Sequence, residues 1–460
     1  MTLIKSISGL RGTVGGKAGE NLSPIDVVKF AAGYGAWLKE AAKKPKVIIG
    51  RDARPSGASF SQLVSNTLIN LGIDVVDLGL STTPTVEMAV IADEAQGGII
   101  LTASHNPAGW NALKLLNNKG EFISAAEGQK VLELAESGDI NFATPQKFGK
   151  YSTNDTYINF HIDQVLNHEL VDVEAIRKAG FRVIVDAVNS TGGISIPPLL
   201  KKLGVEVKEL FCEPTGNFPH NPEPLPENLQ QISSELEAGN YHLGVVVDPD
   251  VDRLALICEN GEPFGEEYTL VSVADYVLSR KKGNTVSNLS STRALRDITE
   301  KHGCEYHPSA VGEVHVVAKM KETNAVIGGE GNGGIIVPEL HYGRDALAGL
   351  ALFLTHLAHF GKSASMLRAK YPNYHISKNK IELTSNINVD GVLEAIRQKY
   401  SSNPVNTTDG IKIEFDKEWV QLRKSNTEPI IRIFAESESQ STAEHLAMKL
   451  ISDIREVISG

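Results

Sequence analysis

The chain reads as a series of α/β units with mostly parallel sheets, closed by a smaller α+β unit at its C-terminal end. Three observations lead there. Through residues 1–150, apolar runs of strand length alternate with helix-spaced segments, the pattern of parallel strands joined by crossover helices. The same alternation returns between about 180 and 330 as a repeat of architecture without close sequence repetition. After about residue 370 the runs alternate apolar and polar, as half-buried antiparallel strands do. At 460 residues the chain is too long for one core, and length alone points to about three domains.

Taken in order, residues 6–16 are glycine-rich and carry Arg11 between Leu10 and Gly12. Residues 25–38 have helical apolar spacing. Residues 46–50 form a strand, followed by the loop Arg51-Asp52-Ala53-Arg54-Pro55-Ser56-Gly57. A helix over 60–71 and a strand over 74–78 come next. Ile99-Ile100-Leu101 is a buried strand that stops at Thr102-Ala103-Ser104-His105, and Asn106-Pro107 starts a turn. Residues 182–186 are a strand leading through Asn189-Ser190-Thr191-Gly192-Gly193 into a helix. The proline-rich stretch 214–226 is irregular. Residues 243–247 are a strand ending at Asp248, and 324–328 a strand before a glycine loop. In the last part, 381–383, 411–415, 419–422 and 430–434 are strands, and 392–400 and 443–457 are amphipathic helices.

A hydrophobic content of 41% and a charged content of 22% fit a soluble globular protein. The formal charge of −11 argues against a nucleic-acid surface but leaves room for an anionic small ligand, because local arginines set the field inside a cleft. Cys212, Cys258 and Cys304 are odd in number, far apart and without metal spacing, which fits a reducing compartment. No signal peptide opens the chain and no run reaches membrane-span length. A cytoplasmic location with no membrane partner is expected.

Four segments carry chemistry. Ser104, at the end of a strand in a parallel sheet, faces the ligand crevice and is either a nucleophile or a capping loop serine. Val245-Val246-Val247-Asp248-Pro249-Asp250-Val251-Asp252-Arg253 places three aspartates at alternate positions after a buried strand. Buried without a partner they would repel, and Mg²⁺ resolves this by taking carboxylate oxygens. A set of solvated turn aspartates is the plainer alternative. A calcium hand is excluded because Arg253 stands where its loop needs glycine and because strands flank the segment. A phosphatase with Asp248 as nucleophile and Asp250 as acid/base gives the other segments no role. Gly328-Gly329-Glu330-Gly331-Asn332-Gly333-Gly334 offers a close backbone approach, with an acceptor and an amide suited to sugar hydroxyls, or is a plain hairpin. Arg423-Lys424-Ser425-Asn426-Thr427-Glu428-Pro429, with Arg432 just beyond, is a hairpin loop of hydroxyls, N–H groups and arginines suited to a phosphate dianion, or a charged surface turn.

Together and in this order, the four segments resemble the α-D-phosphohexomutase family over essentially the whole chain. The resemblance implies three related α/β domains with mostly parallel mixed sheets and a smaller C-terminal α+β domain around a central cleft, here 1–150, 151–254, 255–369 and 370–460. It implies that Ser104 is the phosphoserine and also a metal ligand beside Asp248, Asp250 and Asp252 on Mg²⁺. Arg11, which matches an arginine of the family's N-terminal loop and so is expected in a glycine-rich loop here, His105 and Lys114 are then catalytic, His105 and Lys114 being the candidate acid/base groups. Arg253, Glu330, Asn332, Arg423, Ser425, Asn426, Thr427 and Arg432 bind substrate. A hexose 1,6-bisphosphate is the implied intermediate and activator, a sugar phosphate the implied partner, and the assembly a monomer or homodimer. Many family members have Ser and His where this chain has Asn332 and Gly334; Trp110, Ala112 and Asn426 also depart from the commoner Tyr, Gly and Gly. The Asn-Gly-Gly form is most like the archaeal-type phosphoglucosamine mutase branch. The expected reaction is therefore the interconversion of glucosamine 6-phosphate and glucosamine 1-phosphate. A phosphoglucomutase/phosphomannomutase stands second, a phosphoaspartate phosphatase third, and a non-catalytic sugar-phosphate binder last.

Overall fold

Apolar runs of strand length build four separate sheets in the computed structural model, which describes residues 2–6, 9–382, 387–424 and 430–459. The first sheet has seven strands in the spatial order Ile4–Ser6, Gly9–Thr13, Trp110–Leu116, Gly97–Leu101, Lys46–Arg51, Asp74–Leu80, Tyr151–Thr153. Its central strands are parallel, and alternate side chains enter different cores. Ile49 and Ile99 pack with Phe30, Phe60 and Leu68 of the helices on one face. Ile48 and Ile100 pack with Val86 and Val90 of helix Thr83–Ala92 on the other.

The second sheet runs Leu254–Cys258, Leu243–Val247, Arg182–Asp186, Glu206–Leu210, and the third Tyr306–Ser309, Thr285–Asn288, Ile327–Glu330, Gly334–Ile336. The two units share one hydrophobic cluster, in which Phe264 meets Phe353 edge to face at 5.1 Å. The fourth sheet is antiparallel throughout: His375–Glu382, Ile430–Ser437, Trp419–Lys424, Ile411–Glu414, Val405–Asn406, covered by helices Val389–Lys399 and Gln440–Ser459.

One device recurs. In each α/β unit the chain leaves an internal strand at its carboxyl end, passes through a loop, and returns as that strand's antiparallel neighbour. The three loops are the serine loop after Leu101, the aspartate loop after Val247 and the glycine loop after Glu330. Ligand sites in such sheets lie at the carboxyl ends of strands, so this connection places all three loops where a ligand would be met.

Sheet membership runs past the expected divisions at 150/151 and 254/255: Tyr151–Thr153 pairs with the first sheet and Leu254–Cys258 with the second. Two other readings shift. Arg11 lies in strand Gly9–Thr13, opposite Ala112, and not in a loop. The strand expected from 324 starts at Ile327, because Asn324 takes a left-handed backbone (φ +50°) that ends helix Glu313–Thr323. Among the described residues no helix is long and apolar enough to cross a membrane.

Candidate active site

The buried strand Gly97–Leu101 delivers Ser104 into the junction of the first two units. Ser104 is only 3% exposed and takes a left-handed backbone at φ +49°, a strained conformation for a residue with a Cβ. Its N–H donates to Thr102 Oγ1 at 2.9 Å. Its Oγ donates to Asp248 Oδ2 at 2.7 Å, although the two residues are 144 apart in sequence. His105 Nδ1 stands 3.3 Å from the same Oγ.

The strand Leu243–Val247 delivers the three aspartates, all with no exposed surface. One carboxylate oxygen from each lies within 4.8 Å of the others. Between them Val251 is forced to φ +63°, a costly backbone for a β-branched residue, and its side chain is fully buried. Asp248 Oδ1 accepts from the N–H groups of Asp252 (3.2 Å) and Arg253 (3.1 Å). Asp250 Oδ2 accepts from Thr83 Oγ1 (2.6 Å) and Lys114 Nζ (2.7 Å). Asp252 Oδ2 accepts from Arg344 Nη2 at 2.6 Å and lies 3.4 Å from Lys114 Nζ.

The electrostatics follow from this packing. Burial, then repulsion from Asp252 and Asp250, pushes the Asp248 carboxyl well above its usual range. Burial opposes charge on Asp252 as well, but Arg344 and Lys114 outweigh it and hold that carboxyl below its usual range. Burial would lower Lys114, yet Asp250 and Asp252 hold its ammonium above the ordinary value. Burial, helped by Arg253 and Arg11, pushes His105 down to about 3, so its imidazole is neutral. Asp250 Oδ1 and Asp252 Oδ1 are buried and accept no hydrogen bond. Leaving such atoms unpaired is costly, and a set of hard carboxylate oxygens with repulsion to relieve fits a divalent cation such as Mg²⁺.

The remaining expected residues fall around this centre. Arg11 Nη1 donates to Asn106 Oδ1 at 3.2 Å, on the serine loop. Arg253 lies 3.5 Å from Glu223 Oε1. Glu330 ends its strand with Oε1 accepting from Asn288 Nδ2 (2.8 Å) and Oε2 from Arg344 Nη1 (2.7 Å). Asn332 Oδ1 accepts from the Gly334 N–H at 3.2 Å. Glu330, Asn332, Arg423 and Arg432 line one pocket of about 150 Å³ between the third and fourth units. There Arg432 lies directly opposite Arg423 on one neighbouring strand and opposite Lys380 on the other. Like charges paired across a sheet are destabilising, so this row favours a bound anion. Ser425, Asn426 and Thr427 lie outside the described residues.

Several residues at the site are not among those expected from the sequence. Arg344 bonds Asp252 and Glu330 and lies 2.9 Å from Glu313. Arg54 holds four carbonyl groups of the serine loop and its exit. Glu87, His161, His341 and Asp345 meet where the three α/β units join. The polar loop with Asp52 and Arg54 after a strand was a usable clue; the others are paired with partners far along the chain.

Comparison with known proteins identifies the family. Models of the phosphoglucomutase/phosphomannomutase family match in order: α/β/α domain I over residues 3–141, domain II over 159–261, domain III over 265–374 and the C-terminal domain over 381–452. The chain is 36% identical to a phosphoglucomutase/phosphomannomutase of Thermococcus kodakarensis, over 98% of this chain and 99% of that one. It is 31% identical to a probable phosphoglucosamine mutase of Methanopyrus kandleri, over 98% and 97%. A phosphoglucomutase/phosphomannomutase family protein of Burkholderia thailandensis has a crystal structure that matches with a TM-score of 0.85 and 26% identity, over 99% of this chain and 98% of that one.

Proposed function

The chain belongs to the phosphoglucomutase/phosphomannomutase family of phosphohexomutases, and from that premise we propose that it interconverts glucosamine 6-phosphate and glucosamine 1-phosphate through a phosphoserine at Ser104. The observation that carries the chemistry is the 2.7 Å bond from Ser104 Oγ to Asp248 Oδ2, beside two buried aspartate oxygens with no partner. Support for the amino sugar comes from Asn332-Gly333-Gly334 in the sugar loop and from the Methanopyrus kandleri relative's name. The Thermococcus kodakarensis relative favours a second reading, a phosphoglucomutase/phosphomannomutase. A phosphoaspartate phosphatase is disfavoured because it gives no role to the pocket lined by Glu330, Asn332, Arg423 and Arg432.

In this reading a phosphoryl group on Ser104 passes to the free hydroxyl of a sugar monophosphate. The P–Oγ bond breaks as a new P–O bond forms; the sugar hydroxyl's proton leaves to a base, and a proton is delivered to the departing Ser104 Oγ, which leaves as the alcohol. The resulting hexose 1,6-bisphosphate turns in the cleft and returns its other phosphoryl group to Ser104. His105, with Nδ1 3.3 Å from Ser104 Oγ, is placed to exchange the proton, although burial lowers its basicity; Lys114 is held charged and can stabilise the transferring group. Asp248, Asp250 and Asp252 would hold Mg²⁺, which when bound supplies charge neutralisation at that group. Arg11 would orient the serine loop through Asn106 and Arg253 would face the transferring group, while Glu330 and Asn332 would take sugar hydroxyls. Arg423 and Arg432, with Ser425, Asn426 and Thr427, would take the phosphate that does not react.

The test compares kcat/KM on glucosamine, glucose and mannose phosphates, each with its own bisphosphate. The highest value is expected on glucosamine phosphate. A glucose or mannose value about tenfold higher would install the second reading. Intact mass after bisphosphate treatment should show one phosphoryl group on the wild type and none on Ser104→Ala. Phosphate on Asp248 would point to the phosphatase.

A further inference from the structure

Arg344 has no part in the scheme above, yet it meets three buried carboxylates of the centre. It lies just beyond the sugar-loop hairpin, where it bridges to Ile336, and is 8% exposed. Nη2 donates to Asp252 Oδ2 at 2.6 Å and Nη1 to Glu330 Oε2 at 2.7 Å, while Nε lies 2.9 Å from Glu313 Oε2. One guanidinium thus serves three buried carboxylates, one from the aspartate loop and two from the third unit. The backbone makes room for it: a Cβ at Gly334 would collide with Arg344 Cδ. Glycine at 334, a strand residue without a positive φ, is therefore explained by packing.

The bonds also divide the labour of each carboxylate. Arg344 and Lys114 both sit on Asp252 Oδ2, leaving Oδ1 unbonded. Glu330 Oε1 is fixed separately by Asn288 Nδ2 and the Gly312 N–H. The planar guanidinium fork presents its two terminal nitrogens to Asp252 and Glu330 together, which a lysine ammonium cannot do in the same geometry.

We propose that Arg344 is a positioning residue that couples the cation site to the sugar loop by tying Asp252 to Glu330. The inference rests on the reading above and deepens it. It carries a signature that a merely structural role lacks. Removing the guanidinium takes a positive charge away from a ligand carboxylate, so cation binding tightens. The same change releases Glu330, so sugar-phosphate binding weakens. A general loosening of the fold weakens both.

The experiment titrates the purified protein with Mn²⁺, following free Mn²⁺ by electron paramagnetic resonance, and with glucosamine 6-phosphate by calorimetry. Arg344→Met is expected to lower the Mn²⁺ Kd by about threefold or more and to raise the sugar-phosphate Kd by about tenfold. Arg344→Lys should fall between wild type and Arg344→Met on both. Glu330→Gln leaves Arg344 with the carboxylates of Asp252 and Glu313 as partners, so it bears more heavily on Asp252: the Mn²⁺ Kd should rise about threefold, and this rise should vanish when combined with Arg344→Met. Weakening of both ligands, no change in either, or a Glu330→Gln effect that persists without the arginine overturns the coupling. If Arg344→Met does not fold, Arg344→Lys and Glu330→Gln decide by the same two titrations. A wild type that binds no Mn²⁺ overturns the metal reading and the coupling with it; binding without the opposed shifts overturns the coupling alone.

Discussion

Asp52 and Arg54 form an ion pair, Oδ2 to Nε at 2.9 Å, with both side chains at 0% exposure. The rest of the guanidinium bonds the carbonyls of Ser104, Asn106, Pro107 and Trp110. Thr102 Oγ1 donates to Asp52 Oδ2 at 2.6 Å, so the same pair fixes the loop's start. Phe218 of the second unit stacks on Arg54 at 5.1 Å. This network is what holds Ser104 at its positive φ while the hydroxyl points to Asp248. Arg54→Met should cost about 3–5 kcal/mol of stability, because it strands a buried carboxylate. Arg54→Lys keeps the charge but cannot hold four carbonyls, so it should stay folded while kcat falls about a hundredfold. Thermal unfolding and steady-state kinetics check both, and a lysine variant within about threefold of wild-type kcat would free Ser104's placement from this pair.

Asp250 supports a second expectation. Its Oδ2 is committed to Thr83 and Lys114, and its Oδ1 is unbonded. Asp250→Asn puts a neutral amide in that place, a poorer ligand for a hard cation. Mn²⁺ affinity and turnover should fall together by about tenfold or more. Full wild-type activity in excess chelator would sink the metal assignment.

How much of this was legible follows from where each signal lives. Strand and helix periods are local, so the alternating units and the final α+β unit could be read from short windows. Ser104 and the three aspartates could be read because each set sits in one contiguous loop. Arg344 could not: its partner Asp252 is 92 residues away, and nothing near position 344 demands an arginine. His161 and Asp345 are 184 apart and meet only where the second and third units dock. Arg11 was placed in a glycine-rich loop because glycine count is a local cue, whereas pairing with Trp110–Leu116, which makes it a strand residue, is not.

The junction of the three α/β units sets a pH dependence. His341 is buried with Nδ1 3.1 Å from Glu87 Oε2 and Nε2 3.3 Å from Asp345 Oδ2. Burial alone would lower it, but bonds to Asp345 and Glu87 raise it to about 10. A histidine raised in the folded state stabilises fully below its unfolded value of about 6.5 and loses that contribution as pH rises through its folded value. Glu87, pushed by burial to about 7, contributes an earlier fall, between its unfolded value of about 4.5 and pH 7, so the decline above pH 7 belongs to His341. The unfolding midpoint should therefore decline between pH 7 and pH 10, and His341→Gln should flatten that decline. An unchanged slope in the variant would remove His341 from the pH response.

The C-terminal pocket gives the last expectation. Arg423 is held by Asp409, Nε to Oδ2 at 3.0 Å, and Asp409 also accepts from the Val311 N–H of the third unit at 3.0 Å. Opposite it stands Arg432, and beyond that Lys380, which lies 3.2 Å from Glu382; among the described residues two carboxylates thus face a row of three cations. A phosphate dianion would relieve the remainder, and an arginine already braced by Asp409 loses little freedom in binding it. Arg423→Ala should then lose about 2–4 kcal/mol in kcat/KM, the scale of a buried charged bond. If that binding closes the small domain over the sugar and shuts out water, the loss falls on kcat as well as KM. Arg423→Lys should recover only part of it. Asp409→Ala keeps the guanidinium but removes its brace, so its loss should be smaller than that of Arg423→Ala and fall mainly on KM. A surface hairpin arginine with no ligand predicts almost no effect, and a change below about threefold in Arg423→Ala, under 1 kcal/mol, would remove this pocket from the reaction.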